Sequence, residues 1–446
     1  MNIVERIFQN ADRSAVALIS EGQEITYGRL LEMADKAARP IAASSAARVG
    51  LDCPNGIQHV VLALAIVRAG KCLVPLASEL SPRERERVIR ETGVGAIVDA
   101  TGGVRLVGGE DLPFDEAALA ALNPAFIRFS SGTTGTSKGI VLSHESLLER
   151  VTAANRGLGI GPADRIVWIL PMAHHFAVSI MLYLLHGATT IVENSHLAED
   201  VLGAGITHGG TVLYGAPFHH AQLAAEGSGR AWPALRLAVS TAATLPLATA
   251  QAFDRRYGLP LTQGLGIIEV GLPLLNLTRG REKPTCVGRA LPDYAAEVRG
   301  ADGELFLRGP GMLDAYLHPW RRRAEILEEG WFRTGDLARI DEDGDVHLLG
   351  RSHSVINVAG LKCFPEEIEA VLNEVPGVRR ARVLGKPNAR FGAVPIAEIV
   401  PRDPENPPKI SALAAHCREA LARYKVPVEF RLVESVPLTP SGKIQR

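Results

Sequence analysis

Alternating helical and strand patterns over most of the chain predict an α/β protein. The expected architecture is a large multi-subdomain N-terminal domain of layered sheets and helices, followed by a small mobile α+β C-terminal domain. Two further observations support this: 446 residues exceed one ordinary core, and the rhythm of the sequence changes near residue 351. Residues 60–69 read as a helix stopped by Gly70, and Cys72–Pro75 as a short buried strand. Ser81 caps a second helix with Pro82 at its first position, Gly93 ends it, and residues 94–98 form the next strand. The alternating charges of 83–87 are read as the solvated face of that helix. The domain boundaries are placed at 1–350 and 351–446, with a hinge at 351–353. In the small domain, Pro365 opens a helix, 378–384 is a strand, 401–408 is a proline-rich loop, and 410–424 is an amphipathic helix. A final strand at 429–433 precedes a polar tail.

Composition narrows the partners. Balanced charge, 48 basic against 49 acidic residues, argues against nucleic acid held by bulk electrostatics. No apolar run approaches a membrane span, and the N-terminus lacks a signal-peptide pattern. The five widely spaced cysteines read as free thiols of a cytoplasmic protein, with neither a zinc site nor a disulfide framework.

Residues 130–139 carry the strongest chemical signal. Glycines, hydroxyls and Lys138 follow the apolar segment Phe126-Ile127-Arg128-Phe129. Backbone N–H groups of such a loop can close on a polyanion, and the lysine adds a mobile charge. The common P-loop pattern does not fit, because glycine follows Lys138. Taken alone, the segment suits either a phosphate cradle or a flexible surface loop. Further glycine-flanked turns end in acids at Glu269 and Asp336. Gly350-Arg351 closes the large domain, and Lys443 lies on the terminal loop.

In this order the segments resemble the adenylate-forming superfamily of acyl- and aryl-CoA synthetases, peptide-synthetase adenylation domains and luciferases. Residues 25–30, 69–75, 130–139, 303–310, 330–337 and 437–446 each match one of its motifs. The resemblance implies two steps: a carboxylate attacks the α-phosphorus of ATP, and a thiol then displaces AMP from the acyl-adenylate. It assigns Ser131, Gly132, Thr133, Thr134, Gly135 and Lys138 to ATP, with Thr133, Thr134, Gly135 and Lys138 at the β- and γ-phosphates. Thr241, Ala242 and Ala243, with Gly264, Leu265 and Gly266, face the nucleotide base. Asp336 accepts the ribose hydroxyls with help from Arg351. Glu269 and Thr134 hold Mg²⁺, Lys443 bridges the carboxylate and the α-phosphate, and Gly360 lets a pantetheine arm pass. His353 takes the hinge position.

Four positions depart from the family pattern. Leu265 replaces an aromatic, Ile268 a hydroxyl, Ser137 a proline, and His353 a hinge aspartate or lysine. Losing one neutral hydrogen bond at Ile268 is worth about 0.5–1.5 kcal/mol, which tunes activity without abolishing it. His174 matches the residue beside the substrate carboxylate. No aspartate stands there to hold an ammonium, which argues against an α-amino acid and leaves a fatty or aryl acid. The pairs His174-His175 and His219-His220 are not expected to chelate, because neighbours on a strand point to opposite faces. The acceptor is CoA or, alternatively, the phosphopantetheine of an acyl carrier protein. A basic cluster (Arg379, Arg380, Arg382, Lys386 and Arg390) suits either acceptor or is plain solvated surface. An oxidase using the same adenylate and a degenerate nucleotide-binding protein are the competing readings.

Overall fold

The computed structural model describes residues 2–78, 80–108, 114–130, 138–351, 354–358, 361–388, 391–438 and 444–445. The chain forms two compact units. One comprises residues 1–295 and 307–332, the other 296–306 and 333–446.

The first unit is built on two large sheets. In a nine-stranded sheet, Thr262–Ile267, Leu237–Ser240, Val212–Gly215, Arg165–Trp168, Thr189–Val192 and Val16–Ser20 lie side by side and parallel. Antiparallel strands finish both edges. Its core packs Val167, Ile191, Leu213 and Ala238 of the strands against Leu223, Trp232 and Phe253. An eight-stranded sheet carries Ala96–Asp99, Arg48–Asp52, Cys72–Pro75 and Pro124–Ser130 in parallel, then turns antiparallel through Lys138–Ser143 and Ala315–Leu317. The expected helix caps form here. Ser81 and Glu84 make a capping box on Pro82–Thr92, and Gly93 ends that helix at φ 61°. Arg85 of the charged run is more than solvated face, because it reaches back to pair with Asp52.

The second unit contains a four-stranded sheet and a five-stranded one. In the first, Phe332–Ile340 pairs antiparallel with Val346–Arg351. The turn between them is tied by Asp341, whose Oδ1 accepts from the N–H groups of Asp343 and Asp345 while Oδ2 meets His347. In the second sheet, Val378–Asn388 pairs with Gly392–Pro401, and the helices Pro365–Asn373 and Ile410–Ala420 add Ile368, Leu372, Leu413 and Cys417 to one core. Gly392–Pro401 is a strand that the sequence reading passes over, since Pro395 interrupts its pattern. The strand lies between Val378–Asn388 and Glu429–Leu432, and the Pro395 carbonyl still accepts from Val428. All five cysteines are buried free thiols, and Cys286 Sγ accepts a hydrogen bond from the Asn276 side-chain amide at 3.2 Å. Among the described residues, no helix is long and apolar enough to cross a membrane.

Candidate active site

Parallel strands place their following loops at one edge of a sheet, where ligands of open α/β sheets bind. That edge of the nine-stranded sheet gathers several predicted residues. His174 follows Arg165–Trp168, Thr241 follows Leu237–Ser240, and Glu269 follows Thr262–Ile267. Thr241 is buried and bonded to the hydroxyl of Tyr214, whose pKa burial pushes up to about 12. Tyr214 stacks on Trp168 at 5.6 Å between ring centroids. The next residue, Ala242, holds φ 72°, a left-handed conformation that a non-glycine residue adopts only under constraint.

Glu269 stands at the tip of a tight hairpin. Strand structure runs through Gly264, Leu265 and Gly266 to Ile267, so these residues are not part of an open turn. Gly264 pairs with Leu275 and Leu265 with Leu274. The hairpin tip is clamped from behind. Leu313 donates its N–H to the Glu269 carbonyl at 2.7 Å, and Arg150 donates to the Ile268 carbonyl at 2.8 Å. The same guanidinium gives Nε and a second amino group to the Gly311 carbonyl at 2.8 and 2.5 Å. Burial pulls the pKa of Arg150 down to about 10. Gly311 sits at φ 64°, and a Cβ added there would lie 2.3 Å from the Ser146 carbonyl oxygen.

The eight-stranded sheet brings cations to this carboxylate. Ser130 and Lys138 are cross-strand partners, so residues 131–137 join the two ends of one rung. Two rungs further in, and so on the same face, Arg128 opposes Ile140, which in turn opposes Tyr316 on the next strand. Opposed residues share a face, so Arg128, Ile140 and Tyr316 form a row with Lys138 beside it. The Lys138 ammonium lies 4.6 Å from the Tyr316 ring centroid. Tyr316 donates its hydroxyl to Glu269 Oε1 at 3.2 Å. Burial, reinforced by the Glu269 charge, raises the phenol's pKa far above its ordinary value and keeps that proton in place. Arg128 donates to the His174 carbonyl at 2.8 Å. Burial lowers its pKa, and the charge of Glu269 opposes that shift. Tyr316, Arg128 and Arg150 escape the sequence reading: one lies past a recognised motif, one inside an apolar run, and one on an ordinary amphipathic helix.

In the second unit, Asp336 and Arg351 are register partners, with Arg351 Nε 2.6 Å from Asp336 Oδ1. Asp336 is buried, and its N–H donates to Thr334 Oγ1 at 3.0 Å. In the basic cluster, Arg382 pairs with Glu398 at 3.2 Å and Lys386 with Glu429 at 2.8 Å, which leaves less net charge for a polyanion. The predicted residues Ser131, Gly132, Thr133, Thr134, Gly135, His353, Gly360 and Lys443 lie outside the described residues.

The two histidine pairs sit on helices, Met172–His175 and Pro217–Ala225, and not on strands. His220 points into the core, with Nε2 3.1 Å from the Val239 carbonyl. His219 turns outward; its Nδ1 accepts from the Ala216 N–H at 3.2 Å, and its Nε2 lies 3.4 Å from His196 Nδ1. That tautomer makes His219 Nε2 a donor and unsuited to a metal. A hard cation finds a better ligand in Glu269, whose carboxylate oxygen matches the chemistry Mg²⁺ prefers.

Comparison with known proteins agrees with this geometry. The chain is 29% identical over 488 aligned positions to the sulfoacetate–CoA ligase of Cupriavidus necator, covering 100% of this chain and 96% of the relative. It is 28% identical to a 2-succinylbenzoate–CoA ligase of Listeria monocytogenes, covering 96% and 95%. The fold matches the crystal structure of ATP-bound MatB from Rhodopseudomonas palustris with a TM-score of 0.87 and 25% identity, over 100% of this chain and 97% of that one. The family model of the AMP-binding enzymes matches residues 5–317 and that of their C-terminal domain residues 367–443. The chain belongs to the AMP-binding enzyme family.

Proposed function

We propose that the protein is an AMP-forming acid–CoA ligase, which joins a carboxylic acid to ATP as an acyl-adenylate and then passes the acyl group to the thiol of CoA. The observation that carries this reading is the assembly of Glu269, Tyr316 and Lys138 where the glycine-rich segment leaves the sheet. Attack of a carboxylate on a triphosphate joins two anions, so the site must supply positive charge in a fixed geometry. Lys138 supplies charge at the departing pyrophosphate. Mg²⁺, when bound with the nucleotide, neutralises phosphate charge, and Glu269 with Thr134 would hold it. Tyr316 fixes one oxygen of that carboxylate, and Arg150 fixes the hairpin that carries it. Asp336, oriented by Arg351, accepts the ribose hydroxyls. Thr241, Ala242 and Ala243 line the base, and Lys443 joins the carboxylate to the α-phosphate.

The relatives named as CoA ligases favour CoA over a carrier protein as acceptor. The segment 171–176 contains no carboxylate to hold an ammonium, which favours an acid without an α-amino group. The test is acid-dependent exchange of labelled pyrophosphate into ATP, followed by thioester formation with CoA present. Exchange should fall by roughly 10²–10³-fold in Lys443→Ala. Folded, ATP-binding protein that shows no exchange with any member of a broad acid panel would overturn the reading.

A further inference from the structure

Arg128 is a cation for which the fold supplies little compensation. Its guanidinium has five N–H donors, and among the described residues its hydrogen-bond partner is the His174 carbonyl, at 2.8 Å. Nε is buried and makes no hydrogen bond in the structure. Among the described residues no carboxylate pairs with it, although Glu269 is near enough to act on it electrostatically. Arg150, more fully enclosed, spends its donors on the Gly311 and Ile268 carbonyls. A half-buried guanidinium whose buried Nε lacks a partner is costly unless an anion completes it. Its planar fork suits a carboxylate or a sulfonate.

Position selects which anion. Arg128 is bonded to the backbone of His174, on the segment that follows Arg165–Trp168, and lies two rungs below Ser130. The carboxylate being activated gives up its own charge when it becomes the acyl group of a mixed anhydride, whose remaining charge lies on the phosphate, and then of a thioester. A fixed cation paired with that carboxylate would lose the carboxylate's charge in both products. A second anionic group on the same acid keeps its charge through both steps. We infer that Arg128 reads a second anion on the substrate, so that the acid taken by this enzyme is a dianion: a carboxylic acid bearing a further carboxylate or sulfonate.

This rests on the ligase reading, and the experiment separates the two. Acid-dependent pyrophosphate exchange is measured for two matched pairs, sulfoacetate against methylsulfonylacetate and succinate against its monomethyl ester. Wild-type enzyme should favour the dianion in kcat/KM in at least one pair by roughly 10²-fold or more, the scale of a buried charge pair. Arg128→Gln should collapse that ratio toward one, and Arg128→Lys should keep part of it. No wild-type preference in either pair overturns the inference, as does a preference that survives in Arg128→Gln. A loss confined to KM for ATP would assign the guanidinium to the nucleotide and overturn it equally. If other acids are exchanged while both pairs fail, the ligase reading stands and the dianion falls. If Arg128→Gln does not fold, the wild-type ratio and Arg128→Lys still decide.

Discussion

Two arginines enclosed in the same unit are treated differently by the fold. Arg150 is consumed by it: three of its nitrogens end on two backbone carbonyls, and the Glu269 hairpin hangs from that clamp. Arg128 is offered: among the described residues one carbonyl holds it, and its Nε has no hydrogen-bond partner. The neighbours His220 and His219 divide in a similar way, one bonded into the core and one turned toward His196. Groups that the fold consumes should govern stability whatever the substrate. Groups that it offers should govern kinetics and leave the fold standing.

The largest effect should come from Arg150→Met, which strands the Gly311 and Ile268 carbonyls in the interior. A loss of about 2–5 kcal/mol is expected from two buried unsatisfied acceptors, seen as a lowered thermal midpoint without any ligand. A midpoint close to wild type would erase the distinction between the two arginines. Glu269→Gln should do the reverse. Its adenylation rate should drop roughly 10²–10³-fold in single-turnover assays, with the midpoint nearly unmoved.

A pH titration probes the histidines. Burial, the largest cause for both, lowers the pKa of His220 and of His219 to about 4, from an ordinary 6.5. The unfolded chain therefore binds protons that the folded one refuses. Their contribution is fully present above pH 6.5 and is lost as the pH falls from there toward 4. His220→Phe should flatten that slope in thermal midpoints recorded across this window, and an unchanged slope would show that His220 is not refusing its proton. The smallest effect is expected from Tyr316→Phe, which removes one hydrogen bond to Glu269. At about 0.5–1.5 kcal/mol, it should slow adenylation by roughly two- to tenfold.

Much of this organisation is legible in the sequence, and most of what is not depends on contacts between residues far apart in the chain. Ser81, Pro82 and Gly93 mark a helix because capping is local, and the structure forms that helix as read. Glu269, Asp336 and Lys138 stand out because glycines flank them. Arg150 and Gly311 are 161 residues apart, and nothing local distinguishes Arg150 from a solvated helix residue. Arg128 sits within an apolar run, where alternation places it but cannot show that the His174 carbonyl, 46 residues on, would meet it. The strand Gly392–Pro401 is missed for a different reason, since its proline is tolerated only where tertiary pairing allows.

Gly311 has a practical consequence for redesign. The carbonyl that anchors Arg150 belongs to a residue with φ 64° and a Ser146 oxygen 2.3 Å from any added Cβ. Side-chain variation there would be selected against for reasons unrelated to substrate. A library aimed at new acids should hold positions 150 and 311 constant and spend its diversity at 128 and around 174. Two residues that brace the Glu269 hairpin from behind thus set how freely the pocket can be rewritten.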